Sequence, residues 1–126
     1  MTLFGPIVIR WNHYGPSCRR GVTDEQQQRV AAFLDAHELH APPAYRLLDL
    51  AAEVGELAAD AAKSSEYGAS PDKLDVKRDE LGDALFCLYA LADELDVDAA
   101  AALDESVAKY EARIDDAGAP GSDAKE

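Results

Sequence analysis

Cationic residues are scarce in this chain. Its 126 residues include 12 Lys and Arg against 25 Asp and Glu, a formal charge of −13. That balance excludes a general nucleic-acid binder, because phosphate contacts need clustered Lys and Arg. The acids recur in every segment after residue 22, which predicts a solvated surface of halophilic character, suited to a salt-rich cytoplasm where screening weakens self-repulsion. Cysteine is nearly absent. Cys18 and Cys87 sit in unlike settings, so neither a disulfide framework nor a zinc spacing is available. Cys87 lies in a leucine-rich stretch with no base or cation close by in sequence, and reads as a small buried hydrophobe rather than a nucleophile. Long hydrophobic runs are missing too. Residues 3–9 are apolar but interrupted by Pro6 and lack a preceding cationic region, so they read as neither a signal peptide nor a membrane span. A cytoplasmic protein with no membrane partner is the expectation. Outside the first nine residues there is no β-branched alternation, which leaves an all-α fold.

What is present is alanine and leucine. Hydrophobic residues make up 48% of the chain, enough for one domain that buries about two thirds of the surface its unfolded form exposes. Alanine buries little area, so leucine-rich faces are expected to supply most of the transfer free energy, at about 25 cal/mol per Å². A lone bundle of this composition is modestly stable. Pairing with a second copy is the natural remedy, since a helix with two apolar faces can bury one internally and the other across a symmetric interface.

Residues 1–22 differ from all that follows. They hold Trp11, His13, Arg10, Arg19 and Arg20 but no acid, and read as a disordered arm or a stretch ahead of the natural start. The helical domain is expected over 23–116. Thr23 followed by Gln26 predicts a capping box for a first helix over 24–40, stopped by Pro42 and Pro43. Pro43 opens a second helix that runs to residue 66, ahead of Gly68. Ser70 and Pro71 predict the start of a third, carried by Leu74, Leu81, Leu85, Leu88 and Leu95. Asp98 caps a fourth that ends near Asp116, and residues 117–126 read as a disordered acidic tail.

Glu53 and Glu56 on the second helix, and Glu80 and Asp83 on the third, are spaced i, i+3 and so occupy neighbouring positions on one helix face. The same spacing recurs at Asp35/Glu38, Asp72/Asp75, Asp93/Asp96 and Asp123/Glu126, so spacing alone does not single them out. Wheel position does. At about 100° per residue, Glu53 falls beside Leu50 and Leu57, and Glu80 falls on the arc of Ala84, Cys87 and Leu91. Carboxylates turned towards a core need compensation, and a divalent cation supplies it. Gly55 and Gly82 lie inside the two acid pairs, where each costs about 1 kcal/mol relative to alanine. Close approach of the two helices is the expected reason. Four hard oxygen donors favour Mg²⁺, or Mn²⁺, over zinc. A di-iron bundle is disfavoured, because His13, His37 and His40 all lack a glutamate three residues earlier.

The strings Glu-Val-Gly-Glu-Leu at 53–57 and Asp-Glu-Leu-Gly-Asp-Ala-Leu at 79–85, joined by a basic and polar linker, resemble the paired ExxE and ExxD signatures of MazG-like nucleotide pyrophosphohydrolases. The likeness extends over about residues 24–115, including Lys109-Tyr110-Glu111-Ala112-Arg113. It implies a four-helix MazG-like bundle completed as a homodimer or homotetramer. It also implies Mg²⁺-dependent cleavage of a nucleoside triphosphate to monophosphate and pyrophosphate, with Glu53, Glu56, Glu80 and Asp83 as metal-binding and catalytic residues. Lys63, Lys109 and Arg113 are candidate phosphate contacts, the last two sharing a face at i, i+4. Phe33, His37 and Tyr45 are candidates for lining a base pocket, where an aromatic ring can stack. Family members carry a basic residue at the position matching Ser106 and an asparagine-like group near Tyr110, so phosphate contacts here are expected to differ. Two other readings fit the same scaffold: hydrolysis of a phosphoribosyl-linked ATP, and a non-catalytic helical dimerisation or regulatory module.

Overall fold

The computed structural model describes residues 24–121, and among these it is all-helical, with no strand. Helix α1 spans Glu25–Ala36, α2 Pro43–Ser64, α3 Arg78–Glu94 and α4 Ala99–Ala117, with a single 3₁₀ turn at Pro71–Lys73 between α2 and α3. The proposed N-terminal arm, Thr23 and the last five residues of the proposed tail lie outside the described residues.

The helix limits follow local chemistry, with three departures from the sequence-based expectation. Asp24, not Thr23, caps α1: its Oδ1 accepts from the backbone N–H groups of Gln26 at 2.8 Å and Gln27 at 3.2 Å, satisfying two donors that no helical carbonyl can reach. The helix also stops at Ala36 rather than His40, because the chain turns through Glu38 in the left-handed region at φ 53°. The third departure is larger. Helix α3 starts at Arg78, not Pro71, since the 3₁₀ turn passes into a non-helical stretch over 74–77. The remaining signals behave as their chemistry dictates. Pro43 occupies the first turn of α2, Asp98 caps α4 through Ala100 and Ala101 N–H, and Gly118 closes α4 in the left-handed conformation at φ 72°, where a residue with a Cβ is strained.

Helix α3 is the centre of the fold. It packs along α2 on one side and against α1 on another. Its inward face carries the small buried residues Ala84, Cys87 and Ala90, and α1, packed against it, contributes the buried Ala31 and the fully buried Leu34. The leucines do something other than expected. Leu81, Leu85, Leu88 and Leu95 recur at helical spacing along a different face of α3, and each is about half exposed or more. Leu47 and Val54 of α2, and Leu103, Val107, Tyr110 and Ile114 of α4, are similarly open. Among the described residues the buried core is therefore built largely on alanine around Leu34, and many of the large side chains stay half open.

Two polar devices fix the ends of this arrangement. Gln27 is 1% exposed. Its side-chain N–H donates to the Val97 carbonyl at 2.7 Å and its oxygen accepts from Ala99 N–H at 2.8 Å, joining α1 to the link between α3 and α4. At the other end of α1, the His40 ring bridges Asp35 and Glu94, lying 2.9 Å from the Glu94 carboxylate on its Nδ1 side. The same Glu94 oxygen accepts from Ala41 N–H at 3.1 Å. Partial burial opposes a charge on His40, but the hydrogen bonds to Asp35 and Glu94, with their negative charges, outweigh it and raise the ring's pKa.

Candidate metal centre

The packed pair α2 and α3 brings Glu53, Glu80 and Asp83 together. One carboxylate oxygen from each lies within 4.8 Å of the others. Glu53 and Glu80 are half-buried, and Asp83 is exposed at the edge. Three such oxygens, with no His or Cys among them, form a donor set suited to a hard cation such as Mg²⁺ or Mn²⁺. Their electrostatics point the same way. The Glu80 carboxyl is pushed above the usual range by desolvation, and then by the charges of Glu56, Asp79, Asp60 and Glu53. A carboxylate whose neighbours disfavour its ionised form is relieved by a proton or by a bound cation.

Glu56 lies outside the group of three and is exposed, although it is close enough to act on Glu80. Gly55 and Gly82 are not explained by close helix approach. A Cβ built at either position meets nothing within 4 Å, so among the described residues the two glycines leave bare, open backbone beside the acids and have no packing reason.

The other predicted residues fall in three places. Phe33 and His37 share a face of α1, with ring centroids 4.5 Å apart, and Phe33 meets Phe86 of α3 edge-on at 5.7 Å. Phe86 is three residues beyond Asp83, so this half-open aromatic patch lies about one helical turn from the acids. Tyr45 is exposed on the first turn of α2. Lys63 is exposed on the last turn of α2, two turns past Glu56. Lys109 and Arg113 gather on α4, where both cations approach the Tyr110 ring, at 4.9 and 5.9 Å from its centroid, and Arg113 also donates to the Pro120 carbonyl at 3.2 Å. Among the described residues no hydrogen bond or ion pair links these two to the acid cluster.

Sequence reasoning passed over several residues around the same seam. Arg46 is buried in α2, donates to the Leu39 carbonyl, and lies 3.5 Å from Asp49. Cys87 is free and buried, as its setting predicts, and its thiol is pushed up by burial, then by Glu53 and Asp49, with Arg46 opposing and Asp83 adding. That environment disfavours a thiolate and hence nucleophilic use. Asp60, one turn beyond Glu56, also faces α3. The available signal was periodicity: residues 46, 49, 53, 56 and 60 trace one polar stripe along α2.

Among the described residues no helix is long and apolar enough to cross a membrane. Comparison with known proteins finds no matching family model, no similar curated protein and no similar solved structure.

Proposed function

We propose that this chain is a Mg²⁺-dependent nucleotide pyrophosphohydrolase of the MazG-like kind, acting in the cytoplasm on a nucleoside triphosphate to give the monophosphate and pyrophosphate. The observation that carries the reading is the convergence of Glu53, Glu80 and Asp83 oxygens from two packed helices within 4.8 Å. Acids far apart in sequence, Glu53 on one side and Glu80 and Asp83 on the other, come together, and Glu80 is pushed up by desolvation and then by its neighbours' charge, which a cation would relieve. Mg²⁺ bound there would neutralise charge on phosphate oxygens and acidify a water molecule. The chain's own residues do the rest. Glu53, Glu80 and Asp83 would hold the ion, while Glu56, beside them but outside the cluster, is the acid left to accept a proton from water. Phe33, with Phe86 behind it, offers a half-open ring on which a base can stack. Exposed Gly55 and Gly82 keep the approach to the acids clear of side chains.

The outward leucines support a homo-oligomer, dimer or tetramer. Three helices each present an open apolar stripe, the kind of surface that a symmetric interface can cover. A second copy covering these stripes supplies the burial that the alanine core lacks.

The test is a panel of nucleoside triphosphates, with Mg²⁺, in molar potassium salt, read by monophosphate and pyrophosphate formation. Turnover of at least one substrate, abolished by Glu53→Gln or Glu80→Gln with helicity intact, is the expected result. Absence of pyrophosphate from every substrate would favour a non-catalytic dimerisation module instead.

A further inference from the structure

The first turn of α3, which carries Glu80, has no cap of its own. Its N-cap residue is Lys77, whose side chain makes no capping hydrogen bond, and lysine has no acceptor to offer. The N-cap residue's own N–H is held from α2 instead. Asp60 Oδ2 accepts the Lys77 N–H at 3.2 Å, across 17 residues of chain. One turn further along α2, Ser64 Oγ accepts the Asp75 N–H at 2.8 Å and donates to the Asp60 carbonyl at 2.7 Å. Both side chains are half-buried. Two consecutive turns of one helix therefore hold two alternate N–H groups of the segment that leads into the next helix.

This pairing has a consequence for the acids. Glu53 and Glu56 stand on α2 below Asp60, and Glu80 stands on α3 three residues after Lys77. The α2 to α3 connection is long, passing through left-handed Glu66, Tyr67 and Gly68 and then the 3₁₀ turn, so the chain path alone does not set where α3 begins. The hydrogen bonds at Asp75 and Lys77 do. We propose that Asp60 and Ser64 are positioning residues: together they clamp the start of α3 against α2 and so fix the register that brings Glu80 and Asp83 to Glu53. The role of the clamp in cation binding rests on the metal reading above; the clamp itself does not. Asp60 acts as an acceptor of a backbone N–H and not as a further cation ligand. An asparagine at that position keeps the acceptor oxygen and removes the charge, which separates the two roles.

The experiment compares wild type, Asp60→Asn, Asp60→Ala and Ser64→Ala by two readouts: amide hydrogen exchange over residues 75–83, and Mn²⁺ affinity from the electron paramagnetic resonance of free ion. Asp60→Ala is expected to speed exchange in this segment and to weaken Mn²⁺ binding by about 10- to 100-fold, the usual cost of losing a group that orients ligands. Asp60→Asn should hold exchange near wild type and recover most of the affinity. Ser64→Ala should speed exchange at Asp75 and the residues just after it, which keeps the test open if Asp60→Ala does not fold. Unchanged exchange in both alanine variants overturns the clamp. An affinity loss as large in Asp60→Asn as in Asp60→Ala overturns it as well, because the charge of Asp60 and not its hydrogen bond would then govern the ion. If wild type binds no Mn²⁺, the metal reading falls, and the exchange data still decide whether the clamp exists.

Discussion

Helices α2 and α4 are of similar length and both carry an apolar stripe, yet they relate to the rest of the chain in opposite ways. Helix α2 packs along α3 through a polar seam that includes Glu53 and Asp60, and its far end is pinned by hydrogen bonds to the α3 approach. Helix α4 is joined chiefly at its start, where Gln27 grips Val97 and Ala99, and its Leu103, Val107, Tyr110 and Ile114 stay open. The difference teaches that hydrophobic periodicity locates a helix without saying what covers it. In α2 and α3 directed polar contacts settle the partner; in α4 the stripe stays open among the described residues.

The contrast can be broken most forcefully at the core. Leu34 is 0% exposed where α1 meets α3, so Leu34→Ala should cost about 2–5 kcal/mol, read as a shift in the urea midpoint. A loss as small as that of a surface substitution would mean that α1 is not part of the stable body. Gln27→Ala comes next. It removes both side-chain bonds to the α3–α4 link and should cost about 1–3 kcal/mol. Hydrogen exchange should rise in the first turns of α4 well before it rises in α2. Equal loosening of both helices would erase the distinction between them.

The smallest effect belongs to His40, and its sign follows from its neighbours. Its pKa in the folded chain is raised above the ordinary 6.5 by Asp35 and Glu94 against the opposing effect of burial. The ring therefore adds stability that is fully present below pH 6.5 and is lost as pH rises through the raised value. A stability profile of wild type against His40→Ala should converge at high pH and separate in acid. Parallel profiles would show that the Asp35–His40–Glu94 bridge contributes nothing in solution.

Much of this was legible in the sequence. The four helices followed from Pro43, Asp98, Gly118 and the spacing of leucines, and the acid pairs stood out because their wheel positions placed Glu53 and Glu80 on an inward arc. The late start of α3 was not legible. Pro71 is a sound local signal for a helix start, but Asp60 and Ser64 act on Lys77 and Asp75 from 17 and 11 residues away, and no local pattern reports such bonds. The leucines of α3 misled for a related reason: periodicity gives a stripe, whereas the close contact went to Ala84, Cys87 and Ala90. Thr23 is the cap that the sequence suggests, whereas the Asp24 carboxylate, next to the helix, takes the role. The glycines were read as signs of helix contact, whereas space around both is open.

The gathering of Glu53, Glu80 and Asp83 is tested most directly by thermal unfolding with increasing Mn²⁺ at constant ionic strength, in wild type and Glu80→Gln. A cation that binds only the folded chain raises stability by about 2.7 kcal/mol at a hundred times its dissociation constant. Wild type should show this rise at neutral pH and lose it in acid, as protons compete for the Glu80 carboxylate, and Glu80→Gln should show little at any pH. A wild-type chain indifferent to Mn²⁺, or a variant that responds as wild type does, would contradict the assignment of these three carboxylates to a shared ion.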